Sequence, residues 1–182
     1  SVCRRVYVAV HVVLAPGTYS GAGNRGIDFK GKGITVRGNA PDDPGVIDAT
    51  IVDCQHAAQG FLFVTAEVGT SVLEGITIVN GHTDVDGGGI VSHASSPTIR
   101  KCRVRNCSAG TAAIAGAGGG ISLDSSGAVV SQCLITNNSA WLGGGIYCGA
   151  GSPTIRDCVI AANTTIQTTG LADSYGGGAG VA

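Results

Sequence analysis

Gly118-Gly119-Gly120-Ile121-Ser122-Leu123-Asp124-Ser125-Ser126-Gly127-Ala128-Val129-Val130-Ser131-Gln132-Cys133-Leu134-Ile135-Thr136-Asn137-Asn138 is one full unit of a repeat, and its reading decides the fold. The opening Gly-Gly-Gly-Ile recurs at Gly87 to Ile90 and Gly143 to Ile146, with Gly176-Gly177-Gly178-Ala179 as a weaker copy. In the three full copies the Ile is followed nine residues later by another apolar residue: Ile90 to Ile99, Ile121 to Val130, Ile146 to Ile155. A Cys lies three residues on and a β-branched residue two beyond it, giving Ile99/Cys102/Val104, Val130/Cys133/Ile135 and Ile155/Cys158/Ile160. An earlier turn follows the same pattern as Leu73/Ile76/Ile78, and equivalents of Leu73 recur after 26, 31 and 25 residues. Asn80, Asn106 and Asn137 close the fixed part, with Asn138 and Asn163 one place further on.

Fixed-period self-similarity signals a repeat architecture. The fixed stretches alternate apolar and polar residues, the signature of short strands, and no window supports a 3.6-residue period. Units of about 25 residues are too short for a propeller blade and lack the Leu/Asn framework of leucine-rich repeats. A coil of three short strands per turn fits, each pairing in parallel with its neighbours about 4.8 Å away. The pattern predicts an all-β, right-handed parallel β-helix of about six to seven coils.

Three inward ladders follow: Leu73/Ile99/Val130/Ile155, Ile76/Cys102/Cys133/Cys158 and Ile78/Val104/Ile135/Ile160. The glycine runs would turn one corner, where positive φ and close backbone approach are required. Asn80, Asn106 and Asn137 would turn another, in the left-handed conformation and with amides bonded up and down the stack. Length varies in Val79 to Asp86, Arg105 to Ala117, Thr136 to Leu142 and Ala161 to Tyr175, so insertions sit at one corner.

Composition agrees. Glycine supplies 31 of 182 residues while proline supplies 5, and aromatic residues make up 4%. That is more than twice the usual glycine content of about 7%, without a collagen or Pro-rich signature. A net charge of −1 with 13% charged residues provides no footprint for nucleic acid and no polybasic membrane anchor. The longest apolar stretch, Val6 to Ala15, is broken by His11 and falls short of the ~20 residues of a spanning helix.

The whole chain, 1–182, reads as one domain, with less regular coils over 1–65 and regular ones over 66–182. Ile27/Phe29, Ile34/Val36, Ile47, Ile51/Val52 and Phe61/Phe63 supply the earlier coils. Pro16 to Tyr19, Asn39 to Gly45 and Gly60 supply their turns. Ser1 to Arg5 begins like a signal peptide but runs into a strand pattern with no small-residue cleavage site. The lack of any Met, the strand-like Ser1 to Val10 and the new unit begun at Gly176 to Ala182 lead to the expectation of a fragment, with one or both caps missing.

Val12-Val13-Leu14-Ala15-Pro16-Gly17-Thr18-Tyr19, Gly33-Ile34-Thr35-Val36 and Val46-Ile47-Asp48 resemble the opening of bacterial and archaeal β-helix repeat proteins of the pectate-lyase-like superfamily. The Gly-Gly-Gly-Ile and Ile-x-x-Asn elements also resemble repeats of the chlamydial polymorphic outer-membrane proteins. The resemblance spans nearly the whole chain. It implies architecture more than activity, because the superfamily includes lyases, epimerases, hydrolases, adhesins and passenger domains. It also implies a secreted or cell-surface protein.

Among chemistry-bearing residues, Cys102, Cys133 and Cys158 read as structural, small buried hydrophobes of one rung. Seven cysteines without a Cys-x-x-Cys pair, and with no His in register, point away from a metal centre. Asn80, Asn106 and Asn137 are likewise structural. Lyases and epimerases of the superfamily use clustered acids, often with Ca²⁺, and an Arg or Lys that removes the C5 proton of a uronic acid. The acids here are Asp84, Asp86, Asp124 and Asp173, and Thr83-Asp84-Val85-Asp86-Gly87 offers oxygens to Ca²⁺ through Asp84 and Asp86. No other cofactor is expected.

Arg100, Lys101, Arg103 and Arg105 form a basic run, with Arg156 on an equivalent face two coils later. Arg100, Arg103 and Arg156 are candidate contacts for an acidic polysaccharide. Trp141 and Tyr147 flank the third glycine run and are candidate stacking platforms for a sugar ring. His11, His56, His82 and His93 are scattered.

The expected function is a non-catalytic extracellular or cell-surface solenoid presenting variable loops for adhesion, contact with a polysaccharide or surface glycan, or end-to-end self-association. The alternative is a polysaccharide lyase, epimerase or hydrolase. It requires Asp84, Asp86, Asp124 or Asp173 to converge beside Arg100, Arg103 or Arg156.

Overall fold

The computed structural model describes residues 10–111 and 113–166. Its strands form four sheets whose paired neighbours all run parallel. Sheet A has six strands, Val10–Leu14, Ile34–Gly38, Val72–Glu74, Thr98–Arg100, Val129–Ser131 and Thr154–Arg156. Sheet B has six, Gly17–Tyr19, Thr50–Asp53, Thr77–Val79, Arg103–Arg105, Leu134–Thr136 and Val159–Ala161. Sheet C has five, Ile27–Asp28, Phe61–Phe63, Ile90–His93, Ile121–Asp124 and Ile146–Cys148. The described chain thus makes six passes through sheets A and B in turn, with one strand of sheet C between each pass and the next. The cap expectations rest on Ser1 to Val10 and Gly176 to Ala182, of which all but Val10 lie outside the described residues.

The predicted ladders are present in register. Ile99 faces Leu73 and Val130, and Val130 faces Ile155. Val104 faces Ile78 and Ile135, and Ile135 faces Ile160. The residues that follow the glycine runs, Ile90, Ile121 and Ile146, stack on Phe61. These rows form one continuous core, in which Phe29 packs edge-on against Phe61 and Phe63.

Two features depart from the expected coil. The insertion corner contains a fourth sheet, D, of two-residue strands: His82–Thr83, Ser108–Ala109, Ser139–Ala140 and Thr164–Thr165. Two residues carry no periodicity, so the sequence pattern reads them as loop. The Asn39 to Gly45 turn leads into a helix, α1 (Pro44–Ala49), where Ile47 is buried. Asp43 caps it by accepting from the N–H groups of Gly45 and Val46 at 2.8 and 3.3 Å, and Pro44 occupies the first turn. Helix α1 docks on sheet B, where Thr77 Oγ1 donates to Ile47 O at 2.7 Å.

Single left-handed residues make two of the bends. Between sheets A and B they are Gly75, Lys101, Gln132 and Asp157, with φ of 63°, 55°, 54° and 57°. Between B and D they are Asn80, Asn106, Asn137 and Ala162. The Asn corner is therefore left-handed as predicted, but its stacked amides belong to different residues. Asn106 and Asn137 are exposed. The buried ladder is Asn138 and Asn163, whose side chains point inward because a left-handed residue precedes each.

A buried carboxylate holds the bend between sheets C and A. Glu67, 1% exposed, accepts from Gly31 N–H at 2.8 Å, Thr65 N–H at 2.9 Å and Ser95 Oγ at 3.0 Å. Burial alone would raise its pKa, but these donors outweigh it and hold the carboxyl below its ordinary value. Its contribution to stability is therefore present above the unfolded-state pKa and lost as pH falls through the lower folded value. Glu67→Gln is expected to cost about 1–3 kcal/mol at neutral pH. It should also flatten the loss of stability on acidification from about pH 5 to about pH 3. Urea melts of both proteins across that range check this, and equal acid sensitivity would refute it.

Candidate functional site

The three arginines flank the A–B bend. Arg100 and Arg156 occupy the same register position of sheet A, with Ser131 between them. Arg100 makes a bidentate pair with Glu74, Nε to Oε1 at 2.9 Å and Nη2 to Oε2 at 3.1 Å. Arg103 on sheet B reaches Asp48 of α1 at 2.7 Å, and Arg156 pairs with Asp157 at 3.1 Å. Lys101 bridges Asp42 and Glu74. Arg100, Lys101 and Arg103 of the basic run are thus paired with carboxylates distant in sequence, and Lys101 and Arg103 clamp Pro41 to Ala49 onto the solenoid. Beside this clamp lies an open groove of about 500 Å³ whose floor includes Gln132, Leu134, Asp157 and Val159.

Asp84, Asp86 and Trp141 gather at the insertion corner, where each has an internal partner. Asp86 Oδ1 accepts from Ala117 N–H at 2.7 Å, and Asp84 lies 3.5 Å from His82 Nε2. Among the described residues, no three His, Cys, Asp or Glu side chains gather as metal ligands. Among the described residues no third acid joins Asp84 and Asp86, and Asp86 Oδ1 already accepts from a backbone amide. Trp141 Nε1 donates to Thr111 O at 2.7 Å, so its half-buried indole ties Thr111 to the next coil. Asp173 lies outside the described residues. The carboxylates that meet the arginines are Glu74, Asp48 and Asp157, not Asp84, Asp86 or Asp124.

The outer face of sheet C brings together residues that the sequence leaves scattered. Ile121 and Leu123 enter the core, so Ser122 and Asp124 point outward along the same strand. Ser122 lies between Val91 and Tyr147 in register, and His93 lies opposite Asp124. His93 Nδ1 is 3.0 Å from Asp124 Oδ2, while Asp124 Oδ1 accepts from Ala150 N–H at 3.2 Å. Tyr147 and Asp124 meet over the bare Cα of Gly149, where an added Cβ would press on both the carboxylate and the ring edge. Ser122 is 1% exposed, and among the described residues its Oγ is the one buried side-chain polar atom without a partner. The His93 and Asp124 side chains remain 58% and 38% exposed. Tyr147 was legible as a candidate platform; the His93–Asp124 pair was not, because only the 31-residue stacking offset brings those two together.

The cysteines sit inside. Cys102 and Cys133 are buried in the predicted rung and Cys158 is half-buried on the last described coil. Each Sγ lies 3.3 Å from the carbonyl oxygen two residues back. Hydrogen bonds to Cys102 and Cys158, together with burial, push the Cys133 thiol well up, while the bond from Cys133 holds Cys158 below the ordinary thiol value. Burial pushes Cys54 and Cys107 up to about 12, which makes them poor nucleophiles and poor metal ligands.

Stacked parallel coils, bends of single left-handed residues and an inward asparagine ladder define a parallel β-solenoid. The chain belongs to the right-handed β-helix family, whose model matches residues 17–178. No curated protein and no solved structure matches it. No helix among the described residues is long and apolar enough to cross a membrane.

Proposed function

We propose that this β-helix is a non-catalytic extracellular or cell-surface scaffold that binds a polysaccharide or surface glycan on the outer face of sheet C. The observation that carries the reading is the alignment there of Tyr147 with the part-exposed Asp124 and His93. An aromatic ring beside a carboxylate and an imidazole suits a sugar: the ring covers the apolar C–H face, and the polar groups bond its hydroxyls. Parallel stacking repeats these positions at the strand spacing, so one bound chain can follow the solenoid axis.

One observation favours a second reading. The His93–Asp124 pair has the geometry of an oriented acid–base, which a lyase, epimerase or hydrolase would use. A panel of oligosaccharides assayed by calorimetry and for chain cleavage or release of unsaturated uronic acids separates the two readings. Binding without turnover is expected, and Tyr147→Ala should weaken it about tenfold through loss of the platform. Turnover abolished by His93→Ala would replace the scaffold with an enzyme.

A further inference from the structure

The charge distribution over the four sheets points to the class of glycan. Resting on the glycan-binding reading above, we infer that the sheet C face selects uncharged saccharides and rejects polyuronates. Its five strands, Ile27–Asp28, Phe61–Phe63, Ile90–His93, Ile121–Asp124 and Ile146–Cys148, contain no Lys or Arg and two aspartates. Arg37, Arg100 and Arg156 lie on sheet A, and Arg103 and Arg105 on sheet B. At the far end of the face, Asp28 is paired with Lys30 at 2.8 Å. At the near end, the partner of Asp124 is a histidine rather than a permanent cation.

A carboxylate-bearing sugar stacked on Tyr147 would bring its charge to Asp124, and no cation on those strands would offset it. The Asp124 carboxylate suits sugar hydroxyls instead, because it accepts from them. The arginines cannot substitute, since Arg100, Arg103 and Arg156 are engaged by Glu74, Asp48 and Asp157 and lie on other sheets.

The test measures the binding of neutral hexose and N-acetylhexosamine oligomers against uronate oligomers of equal length, at low and high salt, for the parent protein, Tyr147→Ala and Asp124→Asn. Neutral oligomers are expected to bind with little salt dependence, and uronates about tenfold or more weakly. Asp124→Asn should narrow that gap. Uronates binding as tightly as neutral oligomers, in a manner that Tyr147→Ala abolishes, would overturn the selectivity and leave the site standing. Binding that Tyr147→Ala leaves unchanged, or no binding by any oligomer, would overturn the glycan-binding reading itself.

Discussion

Gly119→Ala is expected to disrupt the solenoid locally, at a cost of about 3 kcal/mol or more. A Cβ at this position would be driven into the carbonyl oxygen of Ser139 and stand 2.6 Å from that of Gly144. Both are backbone atoms held by the inter-coil ladder, in which Gly119 N–H itself donates to Gly143 O. Neither can rotate away as a side chain would. The neighbouring Gly118 is required for another reason, its φ of 70°, where an L-residue is strained by about 1–2 kcal/mol. Gly127→Ala is the control: its Cβ would meet Ser96 Oγ at 2.8 Å, the movable end of a side chain, so a change within about 0.5–1 kcal/mol is expected. Because a solenoid's stability is a sum over neighbouring coils, the readout should be local. Amide exchange should quicken at Ile121 and Ile146 in Gly119→Ala, and uniform protection across all coils would refute the steric account.

The glycine runs, the apolar ladders and the cysteine rung were legible because each recurs at a fixed offset and each residue type has one use inside a narrow coil. Elements that do not repeat were not. The sheet D strands are two residues long, and α1 occurs in one coil, announced by Asp43-Pro44 alone. The A–B bend was hidden for a related reason: Gly75, Lys101, Gln132 and Asp157 share a left-handed backbone but no chemistry. The candidate site mixes both cases. Tyr147 stood out beside its glycine run, whereas Ser122, His93 and Asp124 are ordinary strand residues until stacking places them on one face. The arginine patch illustrates the limit from the other side. A run of like charges reads as a grip for a polyanion, and the neutralising Asp48 and Glu74 arrive from 55 and 26 residues away in sequence.

Asn138→Ala should destabilise the protein by about 3–5 kcal/mol, far more than any change at its exposed neighbour Asn137. Asn138 Oδ1 accepts from Cys107 N–H at 2.9 Å, and its Nδ2 donates to Val104 O and Asn163 Oδ1, each at 3.0 Å. These groups are buried at a bend, where the strands no longer pair them. Removing the amide leaves a donor and an acceptor unmatched in the core, at about 1–3 kcal/mol each, and opens a void beside Ile135. Asn138→Asp separates the two halves of the amide. The acceptor for Cys107 survives, but a carboxylate then faces the Val104 carbonyl and the Asn163 Oδ1 with no proton to give, so the loss at neutral pH should match or exceed that of alanine. Protonation restores one donor, and Asn138→Asp should therefore recover part of its deficit as pH falls below about 5, the opposite trend to that expected at Glu67. Asn137→Gly bears on the same corner without touching the ladder. Its φ of 56° suits glycine, and a change within about 0.5 kcal/mol is expected. Urea unfolding of the four proteins at two pH values checks these relations. An Asn138→Ala variant no weaker than Asn137→Gly would mean that water, rather than the amide ladder, satisfies the bend.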